Sequence, residues 1–324
     1  MEYATLGATG LEVSRLSLGL GLRGQPDEAE ACRLIEHAVN AGVNLLDCAN
    51  VYAPGDDRSA AGRSEAILGR AVRDRRDEVV IATKVGGRVR AGANNAGLSK
   101  RHVVREVEHS LERLGTDRID VLYVHVFDGS TRQEETIRAL DQLVHQGKVL
   151  YLGCCNHQAW QACRALWIAD NLRAEPYVCL QNPYSLLNRD LECEMFGLAR
   201  DQKLGLVTYS PLAIGLLSGE YQSDAEPPDG SPWTGTRRTD YRRIMSGSAG
   251  AVVSQLKASA AELGRSPAEV AVAWVLSHPE VSSCISGADT VEQLDGVLGG
   301  IGWALPAEIR QRLDGVSESA PWVR

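Results

Sequence analysis

Asp47, Tyr52, Lys84 and His125 are four residues whose types, taken together, can run a proton relay at a carbonyl carbon. A hydride reaching such a carbon leaves an alkoxide, so a proton has to be delivered to oxygen as the charge develops. The Tyr52 phenol can donate it, but an unperturbed phenol, with a pKa near ~10, is a reluctant acid at neutral pH. An adjacent ammonium, Lys84, favours the phenolate and eases the transfer, and a buried carboxylate, Asp47, holds that lysine in place and keeps it charged. His125 can give a second hydrogen bond to the carbonyl oxygen and orient it. Taken singly, Asp47 reads as a cap or turn residue and His125 as a structural histidine. Their recurrence at strand ends is what points to a site.

The elements that must carry these residues are legible as alternating runs. Short β-branched or Leu-rich segments fall near 15–20, 43–47, 79–84, 119–125, 149–154, 178–181, 205–208 and 281–286. Between them lie amphipathic stretches such as 27–41, 64–73, 100–114, 134–145 and 190–202. Strand and helix in alternation build a parallel sheet, and eight such units close a (β/α)8 TIM barrel, an α/β fold. In that fold, functional residues belong at the carboxyl ends of strands, where all four stand. An N-terminal β-hairpin is expected around Leu6 to Val13, turning at Ala8-Thr9-Gly10. The connection from Pro211 to Glu280 is far longer than an ordinary βα loop and has room for extra helices at 247–263 and 267–276. Its middle, Gln222 to Thr239, is rich in Pro, Gly, Ser and Asp and reads as a mobile lid. The whole chain, 1–324, reads as one barrel domain.

Net charge is −8 with a pI of about 5.5, which argues against nucleic acid or an anionic membrane as partner, because no basic field offsets phosphate repulsion. The eight cysteines show no metal spacing and read as reduced residues of a cytoplasmic protein. No leader and no long apolar run is evident. His102, His109, His145 and His157 read as surface residues on helices, Cys154-Cys155 as packing, and Asp128 as a loop brace. Arg237 and Arg238 are either solvated or folded over a cofactor phosphate. Gly19, Gly21 and Gly24 have Gly-x-Gly-x-x-Gly spacing, but the first lies inside the expected strand 15–20 and the last does not open the helix expected from 27, so the context of a Rossmann turn is missing.

The segments Leu45-Leu46-Asp47-Cys48-Ala49-Asn50-Val51-Tyr52, Ala82-Thr83-Lys84, Ile119 to His125, Gly147 to Gly153 and Tyr209-Ser210-Pro211-Leu212 closely resemble those of the aldo-keto reductases. The resemblance runs from about Leu6 to about Leu313. The segments Gln181 to Arg189 and Gly215 to Gly219 are similar to the bacterial branch related to potassium-channel β-subunits. It implies a nicotinamide cofactor, with Asn156 and Gln181 clamping the carboxamide, Tyr209 stacking on the ring, and Ser210 and Leu212 giving backbone contacts to the pyrophosphate. Gly21, Leu22, Asp47, Cys155 and Pro211 complete the expected contacts. Gly287, Ala288, Asp289 and Gln293 would receive the adenosine end at a helix N-terminus. Two departures stand out. Cys155 replaces the usual serine, weakening one carboxamide bond. Asp289 stands where NADP-linked relatives commonly carry Arg or Lys, and an acid there suits a ribose diol better than a 2′-phosphate. Both NADP(H) and NAD(H) therefore remain open.

The resemblance thus implies hydride transfer between nicotinamide and an aldehyde, ketone or alcohol. Two alternatives stay beside it: an NAD-linked sugar or polyol dehydrogenase, and a cofactor-sensing regulatory subunit. The loops expected to wall the pocket are polar and Gly-rich, and the chain has only two Phe, which favours a small polar or sugar-like carbonyl substrate.

Overall fold

The computed structural model describes residues 1–223 and 225–318, the side chain of residue 58 apart. Strands β1 (Tyr3–Thr5) and β2 (Glu12–Ser14) form the antiparallel hairpin. Eight further strands follow: β3 (Leu16–Gly19), β4 (Leu45–Asp47), β5 (Val80–Val85), β6 (Ile119–Val124), β7 (Val149–Cys155), β8 (Tyr177–Pro183), β9 (Gly205–Tyr209) and β10 (Val281–Ser286). They close into a barrel in which each strand pairs in parallel with its neighbour and β10 returns to β3. The expected (β/α)8 architecture is therefore present, with strand ends displaced by at most two residues.

The period of two along each strand decides which side chains reach the barrel axis. Leu45, Val80, Ala82, Val121, Tyr123, Cys179, Val207 and Ile285 form the inner core, and Leu6 and Val13 of the hairpin belong to the same cluster. The intervening Leu46, Ile81, Leu122, Val124, Leu152, Cys154 and Leu180 belong to the outer core between strands and helices. Counting on by two from the inner residues puts Asp47, Lys84, His125, Cys155, Gln181 and Tyr209 in the next layer up, at the carboxyl ends. Lys84 is inside β5 rather than beyond it.

Local signals account for several helix limits. The helix Lys100–Leu114 is capped by the Ser99 hydroxyl and stopped by Gly115 at φ 63°, where a left-handed residue favours glycine. The helix Pro267–Leu276 opens with a reciprocal box: Ser266 Oγ accepts from Glu269 N at 3.1 Å and the Glu269 carboxylate accepts from Ser266 N at 2.8 Å. One expected helix is broken. Residues 190–202 split into a short 3-10 turn at Asp190–Glu192 and a helix at Met195–Gln202, because Glu194 lies at φ −137° between them. Two of the four histidines assigned to the surface are buried. His102 is enclosed beside its helix, and His157, in a loop, donates from Nδ1 to Cys155 O at 2.7 Å.

Between β9 and β10 the helices Arg238–Met245 and Ser248–Leu263 precede Pro267–Leu276. The segment expected to be a mobile lid has apolar anchors. Trp233 is 1% exposed, its indole N–H donates to Ile214 O at 2.9 Å, and Tyr241 Oη donates to Gln222 O at 2.8 Å.

Inside the barrel, Gly153 faces Tyr123 and Cys179 on the neighbouring strands. A Cβ at Gly153 would sit 2.6 Å from Tyr123 Cε1 and 2.7 Å from Cys179 Sγ, closer than packed atoms tolerate. Gly153→Ala is expected to cost about 1–3 kcal/mol by overpacking the layer under the site. A urea melt that leaves the midpoint unchanged would show that the Tyr123 ring has room to move.

Candidate active site

The centre of the upper layer is a buried ion pair. Lys84 is 1% exposed and Asp47 4%, and the Lys84 ammonium is paired with Asp47 Oδ2. A second ammonium N–H donates to Cys48 O at 2.8 Å, and Nζ lies 4.9 Å from the centroid of the Tyr52 ring. The loop after β4 makes this possible by turning back on itself. Tyr52 N donates to Ala49 O at 3.0 Å, and Tyr52 O accepts from Gly62 N at 3.1 Å and Ser64 N at 3.3 Å. From β6, the His125 ring meets the Tyr52 ring edge-on, with centroids 5.8 Å apart. All four relay residues are therefore brought together.

Burial is the largest influence on both Lys84 and Tyr52, and it acts in opposite senses on a base and an acid. At Lys84 burial disfavours the charge, but Asp47, with Tyr52 and Cys155 behind it, outweighs burial and holds the ammonium well above its ordinary value. At Tyr52 burial raises the phenol above its ordinary value, Lys84 pulls it down and Asp47 pushes it up, for a net rise. The phenol is thus held in its proton-carrying form, with the lysine limiting how far it climbs. A buried ion pair is a poor device for stability alone. Its presence where strand ends converge speaks for chemistry.

Around this pair, hydrogen bonds define the rest of the layer. Gln181 Nε2 donates to Asp47 Oδ1 at 2.7 Å, and the Cys155 thiol donates to Gln181 Oε1 at 3.0 Å. Tyr209 Oη donates to Asn156 Oδ1 at 2.7 Å, while Asn156 Nδ2 donates to His125 O at 3.0 Å. Each of the two amides offers two N–H donors and two lone pairs on oxygen, so these bonds leave each with one donor and one lone pair. That inventory fits a nicotinamide carboxamide without breaking any internal bond.

The expected phosphate and adenosine contacts sit in loops of unusual backbone. Leu22 at φ 49°, Asn156 at 57°, Ser210 at 58°, Ala213 at 47° and Ile214 at 56° all occupy the left-handed region. Such conformations cost on the order of 1–3 kcal/mol each outside glycine and cluster at functional sites. Gly21, Pro211 and Leu212 lie in the same loops, and Leu22 O accepts from Gly55 N at 2.8 Å. At the last βα turn, Gly287 is exposed and Ala288 buried. Asp289 N donates to Gln293 Oε1 at 2.8 Å, which together with the Thr290 cap fixes the start of the helix Val291–Leu298.

The Asp289 carboxylate is engaged within the protein, where Oδ2 accepts from Gly24 N at 2.9 Å and the carbonyl accepts from Gln25 Nε2 at 3.0 Å. Burial raises Asp289 above its ordinary value, opposed by the Gly24 N–H and by Arg23. Gly24 and Gln25 lie in a loop that the sequence places only at the pocket wall, with nothing to mark them as partners of Asp289. The signal that could have found them is barrel closure, which makes the first and last βα loops neighbours. Arg237 stacks on Trp233, 4.7 Å from the ring centroid, and Arg238 pairs with Glu226 at 3.6 Å. Asp128 is a brace, as expected, accepting from Leu98 N at 2.9 Å and from the Ser130 and Thr131 hydroxyls, bonds that hold it well below the usual carboxylate range despite burial. Among the described residues no group of three or more His, Cys, Asp or Glu could hold a metal ion, and no helix is long and apolar enough to cross a membrane.

Comparison with known proteins agrees with this geometry. The Aldo/keto reductase family model matches residues 15–318. A probable voltage-gated potassium channel subunit beta of Oryza sativa is 38% identical over 91% of this chain and 89% of its own length. An uncharacterized oxidoreductase of Bacillus subtilis is 37% identical over 98% and 96%, and the versiconal hemiacetal acetate reductase of Aspergillus parasiticus is 33% identical over 97% and 96%. With a closed parallel barrel, an ion-paired lysine under a tyrosine at its carboxyl end and a family match across nearly its whole length, this chain belongs to the aldo/keto reductase family.

Proposed function

We propose that the chain is an NAD(P)(H)-dependent oxidoreductase acting between the nicotinamide and an aldehyde, ketone or sugar-like carbonyl, or the corresponding alcohol. The observation that carries this reading is the Lys84 ammonium, sealed against Asp47 and held under the Tyr52 ring. Nicotinamide nucleotides serve the family generally, and when bound the nicotinamide supplies or accepts the hydride. Asn156 and Gln181 would hold its carboxamide, with Tyr209 against the ring. Tyr52 donates the proton to the carbonyl oxygen in reduction and takes it back from the alcohol in oxidation. Lys84 tunes the phenol, Asp47 fixes Lys84, and His125 orients the oxygen.

A regulatory reading, as a partner of a channel, is motivated by the likeness to plant channel β-subunits. The complete relay favours catalysis, and turnover of a carbonyl panel followed by nicotinamide absorbance separates the two.

Tyr52→Phe should retain fold and nucleotide binding while lowering kcat by at least ~10²-fold, the usual scale for a lost general acid. Near-parent turnover would remove Tyr52 from the role. Because Tyr52 lies above its ordinary value, reduction, which needs the phenol, should hold across neutral pH and fall only in alkali, whereas alcohol oxidation, which needs the phenolate, should climb toward alkali. Profiles that run the other way would contradict the assignment.

Nucleotide choice is set, on this reading, by Asp289. Its carboxylate is fixed in place by Gly24 and stands beside the segment expected to receive the adenosine ribose, where a 2′-phosphate would meet a like charge. Asp289→Asn keeps an acceptor for Gly24 N–H and removes the charge. It should raise the NADPH-to-NADH ratio of kcat/KM by roughly five- to tenfold, the equivalent of about 1 kcal/mol of repulsion. An unmoved ratio would place Asp289 away from the ribose.

A further inference from the structure

Gln181 stands between two groups that the proton relay does not obviously need to connect. One end of its amide donates to Asp47 Oδ1 at 2.7 Å, and the other accepts the Cys155 thiol at 3.0 Å. All three side chains are buried, Gln181 at 2% exposure. An amide can usually sit either way round, but here both neighbours demand the same orientation. A carboxylate only accepts, and a thiol is a better donor than acceptor.

This orientation fixes the relay through Asp47. Asp47 Oδ2 pairs with Lys84 and Oδ1 with Gln181, so the carboxylate plane is held at both oxygens. Lys84 spends one N–H on Asp47 and one on Cys48 O, and the ammonium is left lying 4.9 Å from the Tyr52 ring centroid. If Gln181 stopped donating, the negative charge on Asp47 would be less satisfied and would draw the ammonium more strongly, leaving less of its field for the phenol. The groups facing Tyr52 are Lys84, Asp47 and Cys48 from β4, β5 and their loops, Cys155 from β7 and His125 from β6. Of the two that form the ion pair, Lys84 favours the phenolate and Asp47 opposes it, so both consequences push the phenol in the same direction.

We propose that Gln181 is a positioning residue, locked by the Cys155 thiol, that holds the Asp47 carboxylate and thereby sets the acidity of the Tyr52 phenol. This rests on the reading of Tyr52 as the proton donor, and it adds to Gln181 a task that exists before any nucleotide binds. Burial keeps the Cys155 thiol protonated and uncharged, so it acts on the phenol through the amide.

The test is the ionisation of Tyr52 in the full chain without nucleotide, followed by the ring-carbon NMR signal of labelled tyrosine and identified by its loss in Tyr52→Phe. Gln181→Met, similar in length but with no donor, should raise the Tyr52 midpoint by about half to one pH unit, the scale of one altered neighbour. Cys155→Ala should raise it by less, and the double variant should match Gln181→Met alone, because coupled residues are not additive. The alkaline limb of carbonyl reduction should move up by the same amount.

An unmoved Tyr52 midpoint in Gln181→Met, with only nucleotide affinity reduced, would confine Gln181 to holding the cofactor and overturn the proposal. So would a Cys155→Ala shift that persists in full in the Gln181→Met background. Should Gln181→Met fail to fold, Cys155→Ala decides alone, and an unmoved midpoint there sinks the idea. The NMR titration needs no turnover, so a chain that reduced no carbonyl would refute the proposed function without deciding this one.

Discussion

One ammonium, that of Lys84, is buried in the mouth of the barrel, and the upper layer is arranged around the cost of keeping it there. Taking a charge out of water costs several kcal/mol even after relaxation. Asp47 supplies the counter-charge, Cys48 O supplies a second acceptor and the Tyr52 ring covers a further face. Asp47 is charged and buried in its turn, so it needs Gln181, and Gln181 needs a donor for its oxygen, which Cys155 provides. The polar layer is thus a chain of obligations that begins at one lysine.

A second chain of hydrogen bonds runs beside the first. His125 leaves β6 with its carbonyl held by Asn156, and Asn156 is held by the hydroxyl of Tyr209. A residue expected to stack on a nicotinamide ring is thereby tied to the backbone of the residue expected to orient a carbonyl. The two chains use adjacent residues, Cys155 and Asn156 at the end of β7, and the left-handed φ of Asn156 lets neighbours in sequence face different partners.

Closure of the barrel matters as much as its strands. Because β10 pairs with β3, the loop carrying Gly21 to Gln25 lies against the turn carrying Gly287 to Asp289, and the Asp289 carboxylate binds the two. The charge proposed to bear on nucleotide choice is therefore also a structural tie. The same logic governs the long connection after β9. Its polar composition reads as a loose cover, yet one indole, that of Trp233, inserts into the core and fixes the segment to Ile214.

The sequence by itself determined the barrel, its hairpin, its extra helices and the standing of Asp47, Tyr52, Lys84 and His125 at or after strand ends, because each of these follows from local periodicity and from residue type. It also placed Asp128 as a brace and Cys154 in packing, but not the bond from Cys155 to Gln181. It did not show that His102 and His157 are buried, that residues 190–202 break at Glu194, or that Asp289 is already bonded to Gly24. Nor did it show that Gln181 and Asn156 are spoken for by Asp47, Cys155, His125 and Tyr209. These belong to tertiary structure for one physical reason: a hydrogen bond across 134 residues, as between Gln181 and Asp47, depends on strand register and barrel closure, and no local pattern encodes which side chain will stand opposite.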